Sequence, residues 1–200
     1  MKNKSKNKNK YLSSEIIQTI DLLKLVNNKN INKDFDKLCF AGVNTIKKKG
    51  KIIFFGNGGS AADAQHLATE LSCRFRLNRK ALPGLSLVTD TSAITAIGND
   101  FKFSYIFSRQ LEAIANKNDL AIAITTSGNS KNLIEAAKFA KKRRIKIFCL
   151  AGNKGGRLKK YVDGSIIIPS KVTSQIQIVE ILIGQMFCSY LEDFFYKKKI

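Results

Sequence analysis

Asn57, Gly58, Gly59 and Ser60 stand between a short apolar run, Ile52–Phe55, and a segment of helical composition, Ala61–Glu70. A strand, a glycine turn and a helix start in that order make a place for an anion. The glycines let a ligand approach the backbone, and the first N–H groups and the helix dipole favour negative charge. Ser60 reads as the N-cap of that helix. The spacing matches neither the dinucleotide fingerprint nor the phosphate loop of nucleotide hydrolases, because GxGxxG is absent and no Lys follows the glycines. His66 and Glu70 follow at i, i+4 on one helix face, a pairing that suits either a mutual hydrogen bond or half of a zinc site. A second loop, Thr125–Ser130, follows another apolar run and opens another helix. Its Thr125, Thr126, Ser127 and Ser130 hydroxyls, with Gly128 and a helix N-terminus, suit a phosphate monoester. Both loops would lie at carboxyl ends of strands, where open α/β sheets bind ligands.

The elements that must carry these loops alternate. Apolar runs predict strands at Ile52–Phe55, Gly84–Val88, Asp119–Ile124, Ile145–Leu150 and Ser165–Ile168, with helices between them and a long apolar helix from Thr173 to about Phe195. The expected fold is an α/β three-layer sandwich with a five-stranded parallel sheet, N-terminal helices and a long C-terminal helix. Ile52–Phe55 and Ala121–Ile124, apolar throughout, belong near its centre. Residues 1–12, lysine-rich and almost devoid of apolar surface, read as a disordered basic tail, and 13–200 as one domain. Ser13 or Ser14 would cap the first helix, and a second would run from about Lys33 to Lys49. A further helix is expected over Ser104–Ala115. Ile16–Leu25 and Ile176–Leu191 carry more apolar surface than one subunit's sheet covers, which predicts a homo-oligomer.

The formal charge of +20 comes from lysines scattered through most segments, with runs at expected helix ends. That is the pattern of a solvated face complementing helix dipoles, not of a specific nucleic-acid surface. No apolar run approaches the roughly 20 residues of a membrane span, and no secretory signal is evident. Cys39, Cys73, Cys149 and Cys188 sit singly, without a CxxC pair, and read as buried free thiols of a reducing cytosol.

GNGGSAADAQH at 56–66, TDTSAITAIGND at 89–100, FSRQ at 107–110 and TSGNS at 126–130 together closely resemble the phosphoheptose isomerases of the sugar isomerase (SIS) fold. The similarity runs from about Lys51 to Gly184, with a matching two-helix lead. It implies isomerisation of sedoheptulose 7-phosphate to D-glycero-D-manno-heptose 7-phosphate, the first step towards ADP-heptose for lipopolysaccharide or other glycans. It also implies a cytoplasmic homotetramer with a Zn2+ ion in each subunit's site.

Carried over by residue, the resemblance assigns substrate contacts to Asn57, Gly58, Gly59, Ser60, Glu70, Asn99, Asp100 and Gln177. Thr125, Thr126, Ser127 and Ser130 would hold the phosphate, with Thr125 where the family usually has Ser. His66, Glu70, Gln177 and Gln185 would hold the metal. Glu70 is the first candidate for the base, with Asp100 and Glu180 next, and Gln185 occupies the family's other acid/base position. The C-terminal helix departs from the family here: Glu180 and Gln185 stand where two histidines are usual, and Val172 replaces an aspartate. A glutamine offers an amide oxygen to a metal but takes no proton near neutral pH. The alternative reading is a non-catalytic SIS-domain protein that binds a sugar phosphate, or one of the type that associates with the replication initiator.

Overall fold

The computed structural model describes residues 5–197. Two helices lead the chain, α1 (Ser5–Val26) and α2 (Lys29–Lys47). Asn28 caps α2 by accepting from the Asn30 and Ile31 N–H groups, so this helix starts earlier than the apolar pattern suggests. α1 likewise begins at Ser5, inside the segment expected to be a disordered tail, whose residues 1–4 lie outside the described residues. Lysine buries nothing but is a good helix former, and a helix nucleated by the apolar turns beyond Tyr11 extends backwards at little cost. Ser14 is therefore internal to α1, its Oγ accepting from Gln18 Nε2 at 3.1 Å.

Five strands follow: β1 (Ile52–Gly56), β2 (Gly84–Ser86), β3 (Leu120–Thr125), β4 (Lys146–Gly152) and β5 (Gly164–Ile168). All neighbours pair in parallel, in the order β2-β1-β3-β4-β5. The two apolar runs expected at the centre are there: β1 lies beside β3, with Ile52 opposite Leu120 and Gly56 opposite Ile124, and both strands are buried along their whole length.

Successive side chains of a strand point to opposite faces, and the sequence uses that period to build two cores. Ile52, Phe54, Ile122 and Leu150 face the layer of α2, α3 (Gly59–Ser72) and α7 (Thr173–Tyr196). Ile53, Phe55, Ala121 and Ala123 face the other layer, with α5 (Ile106–Ile114) and α6 (Lys131–Lys142). α4 (Thr91–Asp100), capped by Asp90, precedes α5 on that side. Two local differences from the expected elements matter. A 3-10 turn, Phe103–Tyr105, takes up the start of the helix expected from Ser104, and β2 ends at Ser86 where a strand to Val88 is expected; Asn99–Asp100 closes α4.

α3 and α7 run side by side in the same direction. Gly59 abuts Gln177, Ser60 meets Glu180, Leu67 packs on Gly184, and His66 meets Gln185. The absence of a side chain at Gly184 is what permits this approach, since a methyl group there would collide with the Leu67 isobutyl group. Cys39, Cys149 and Cys188 are buried as expected, whereas Cys73, just past the end of α3, is exposed. Among the described residues no helix is long and apolar enough to cross a membrane.

Candidate active site

The strand order reverses between β1 and β3, and the two chemistry-bearing loops leave the carboxyl ends of those adjacent strands. In the first, Gly58 has φ 58°, a conformation that glycine adopts at no steric cost. That turn starts α3 at Gly59, with Gly58 as its N-cap. Ser60, expected to be the cap and a substrate contact, is instead the second residue of the helix. It is only 3% exposed, and its hydroxyl donates inward to Glu180 Oε2 at 3.4 Å. Gly58 and Gly59 are exposed, and any side chain at Gly59 would strike the Gln177 amide.

The second loop is held from within. Thr125 is buried and its Oγ1 accepts the Gly128 N–H at 3.2 Å, so this hydroxyl shapes the loop. Ser127 Oγ accepts the Asn129 N–H at 3.1 Å and stays exposed. Thr126 and Ser130 are half-buried, with Ser130 as the N-cap of α6 and no capping bond from its own side chain. Gly128, at φ 64°, passes so close to Gly155 and Gly156 that a β-carbon would overlap their backbone. The Leu158 N–H also bonds to the Gly128 carbonyl, at 2.9 Å.

A pair of side-chain amides joins the two loops. Asn57 Nδ2 donates to Asn132 Oδ1 at 3.0 Å, and Asn132 Nδ2 donates back to Asn57 Oδ1 at 2.8 Å. Asn132, in the first turn of α6, is 2% exposed. Nothing in the sequence singles it out, because an Asn at a helix start is commonplace; only the juxtaposition of β1 and β3 gives it a partner.

His66, Glu70 and Gln185 come together on the α3–α7 surface. His66 Nε2 lies 2.8 Å from Glu70 Oε1 and 3.4 Å from Gln185 Nε2, with the histidine side chain 49% exposed. At 1.5 Å rise per residue, His66 is about 10 Å and Glu70 about 16 Å along α3 from Gly59. Gln177 stays beside Gly59, about 12 Å along α7 from Gln185. Within one chain the four expected metal ligands therefore do not converge. Asn99 and Asp100 are exposed at the end of α4, bonded to each other at 2.8 Å. The donor set also falls short chemically. Zinc sites take three or four imidazole, thiolate or carboxylate ligands, and among the described residues no group of three such side chains is placed to hold a metal. His66 and Glu70 supply two strong donors and Gln185 a weak one, so the residues of one chain do not fit a zinc ion.

Behind the glycine loop lie two carboxyl groups, Asp63 and Glu180, whose burial the sequence does not reveal. Glu180 is 0% exposed and its Oε1 has no hydrogen-bond partner; Asp63 has a buried, unpartnered Oδ2. Burial, then the neighbouring Asp63 charge, pushes the Glu180 carboxyl up to about 8, against the smaller opposing effect of its hydrogen bonds. Burial also raises the Asp63 carboxyl, partly offset by His66. Sealed in this way, Glu180 touches no substrate and is not the base.

The SIS domain family model matches residues 14–152. A phosphoheptose isomerase from Paramagnetospirillum magneticum is 46% identical over 182 residues, covering 91% of this chain and 94% of that protein. One from Campylobacter jejuni is 50% identical over 150 residues, covering 75% and 81%. Among solved structures, the phosphoheptose isomerase from Neisseria gonorrhoeae superposes with a TM-score of 0.87 at 33% identity, covering 92% of this chain and 98% of that one. That from Francisella tularensis superposes with a TM-score of 0.88 at 30% identity, covering 92% and 97%.

Proposed function

Because the chain belongs to the phosphoheptose isomerases of the SIS-domain family, and so is a sugar-phosphate isomerase, we propose that it converts sedoheptulose 7-phosphate to D-glycero-D-manno-heptose 7-phosphate in the cytoplasm, supplying ADP-heptose synthesis. The observation that carries this reading is the Asn57–Asn132 clasp, which holds a glycine loop and a hydroxyl loop together at the sheet's switch point. Thr126, Ser127, Ser130 and the N-terminus of α6 take the phosphate. Asn57, Gly58, Gly59 and Gln177 line the path of the sugar, with Asn99 and Asp100 as further contacts.

Glu70 is the base. It removes a proton from C1 of the ketose; the electron pair forms the C1–C2 double bond, and the C2 carbonyl oxygen takes the displaced pair and a proton from solvent, giving the enediol. The Glu70 carboxyl exchanges with solvent and delivers a proton to C2 while the C1 hydroxyl gives up its own proton to become the aldehyde, which completes the aldose. The Gln185 amide donates to the oxygen on which charge develops, and His66 orients the Glu70 carboxylate through their hydrogen bond. No step is assigned to zinc, which the donor set of one chain does not fit.

Glu70 lies about 16 Å along α3 from the glycine loop that adjoins the phosphate loop of its own chain. We therefore place the reacting carbons between the loops of one copy and the His66–Glu70–Gln185 group of another, in a homotetramer. The exposed apolar residues Ile178, Leu182 and Met186 flank Gln185 on α7, and Ile16, Ile17 and Ile20 are exposed on α1, which supports such a contact.

Incubation with sedoheptulose 7-phosphate, followed by NMR in deuterated water, tests the reading: deuterium at C2 of the product is expected. The exchange of the family histidine for Gln185 favours a second reading, a sugar-phosphate binder without turnover. Substrate binding with no product, in both wild type and Gln185→His, would establish it.

A further inference from the structure

Glu180 is the only buried carboxyl group with a direct bond to the glycine loop's helix among the described residues, and the chemistry above leaves it unused. One oxygen has no partner; the carboxyl otherwise has the Ser60 hydroxyl at a long 3.4 Å and a weak contact with the Thr125 backbone. An ionised carboxylate held so poorly away from water is costly, and among the described residues no lysine or arginine lies against it. The titratable groups around it are Asp63 on α3, with His66 beyond it on the same helix, and Cys149 on β4. None of these supplies a cation in contact with Glu180. The α3 N-terminus pulls the other way, since a helix start favours negative charge. That end borders the path of the sugar and is joined to the phosphate loop by the Asn57–Asn132 pair.

Resting on the isomerase reading, we infer that Glu180 is a positioning residue that works as the neutral acid: its proton keeps negative charge out from under the glycine loop, and its bond to Ser60 fixes the start of α3. An ionised Glu180 would place a second negative charge beside the joined loops that hold the sugar phosphate, and the two would repel. By linkage, binding of the substrate raises the proton affinity of Glu180, and loss of the proton weakens binding. The direction agrees with the raised value of about 8. The protonated form prevails below that pH, and affinity falls as pH rises through it.

The test compares wild type, Glu180→Gln and Glu180→Ala between pH 6.5 and 9.5, ranges chosen to bracket that value. In wild type, KM for sedoheptulose 7-phosphate is expected to rise about tenfold across the alkaline limb with kcat little changed. Glu180→Ala should lose at least about tenfold in kcat/KM at neutral pH. Glu180→Gln should recover that loss and abolish the alkaline rise. A wild-type profile that persists in Glu180→Gln overturns the inference. Infrared spectroscopy supplies a readout independent of turnover: wild type at pH 7 should show a protonated-carboxyl C=O stretch that Glu180→Gln lacks. If the band is present but no variant isomerises the sugar, the isomerase reading fails and the proton assignment survives. If the band is absent, the proton assignment fails whatever the activity.

Discussion

Removing the amide of Asn132 should loosen the crevice without dismantling the sheet. Asn132→Ala deletes both bonds of the clasp and leaves the half-buried Asn57 amide with unmet polar atoms. Two hydrogen bonds contribute about 1 kcal/mol each, and a stranded polar group costs about 1–3 kcal/mol more. Partial access of water to Asn57 argues for the low end, so the single variant should lose about 2–3 kcal/mol of unfolding free energy. Asn57→Ala removes the same bonds from the other side and strands the more deeply buried Asn132. The two losses are one event, and the double variant should fall short of their sum by about 1–2 kcal/mol. Urea unfolding of the four proteins gives the coupling energy, and KM for the sugar phosphate gives the functional counterpart. Additive losses would show that the clasp carries no energy and that the loops are positioned by the sheet alone.

Ser127→Ala and Ser130→Ala should each weaken sugar-phosphate binding by about 1 kcal/mol, roughly fivefold in KM, with the unfolding transition unmoved; calorimetric titration reads the affinity directly. Zinc should bind weakly, and Gln185→His, which adds an imidazole beside His66 and Glu70, should tighten it by at least about tenfold in a chelator competition. Glu180 makes stability fall with pH. Its folded value of about 8 exceeds the ordinary 4.5, so the folded chain retains a proton that the unfolded chain releases. The contribution is fully present below 4.5 and is lost as pH rises through 8, amounting to about 3 kcal/mol between pH 5 and 8. Glu180→Gln should flatten that slope in urea melts recorded across the range.

What the sequence disclosed and what it hid divide along a physical line. Ile52–Phe55 and Ala121–Ile124 are apolar at every position, which only a strand buried on both faces tolerates, and they lie side by side at the centre of the sheet. Gly58 and Gly128 mark the turns because their positive φ angles favour glycine. The start of α1 was hidden because lysine and asparagine report on solvation, not on backbone conformation. Ser60 was misjudged because Gly58 turns the chain two residues sooner, which aims the hydroxyl inward. Motif spacing placed His66 and Glu70 on one helix face but not their distance from the loops, which depends on how far α3 runs unbroken. Asn132 and Asp63 gave no signal, and Glu180 stood out only as a base candidate at a usual histidine position, since these roles arise from contacts 75 to 120 residues apart in the chain, or from burial that no local pattern encodes.

The central claim is that this SIS domain isomerises a heptose phosphate with Glu70 moving the proton. Single-turnover NMR of sedoheptulose 7-phosphate with wild type and Glu70→Gln, at equal and verified folding, tests it most directly. The account predicts conversion to the aldose by wild type and a loss of at least about a thousandfold in the variant, the scale of a general base. Equal rates in the two proteins, or binding without conversion in wild type, would contradict it.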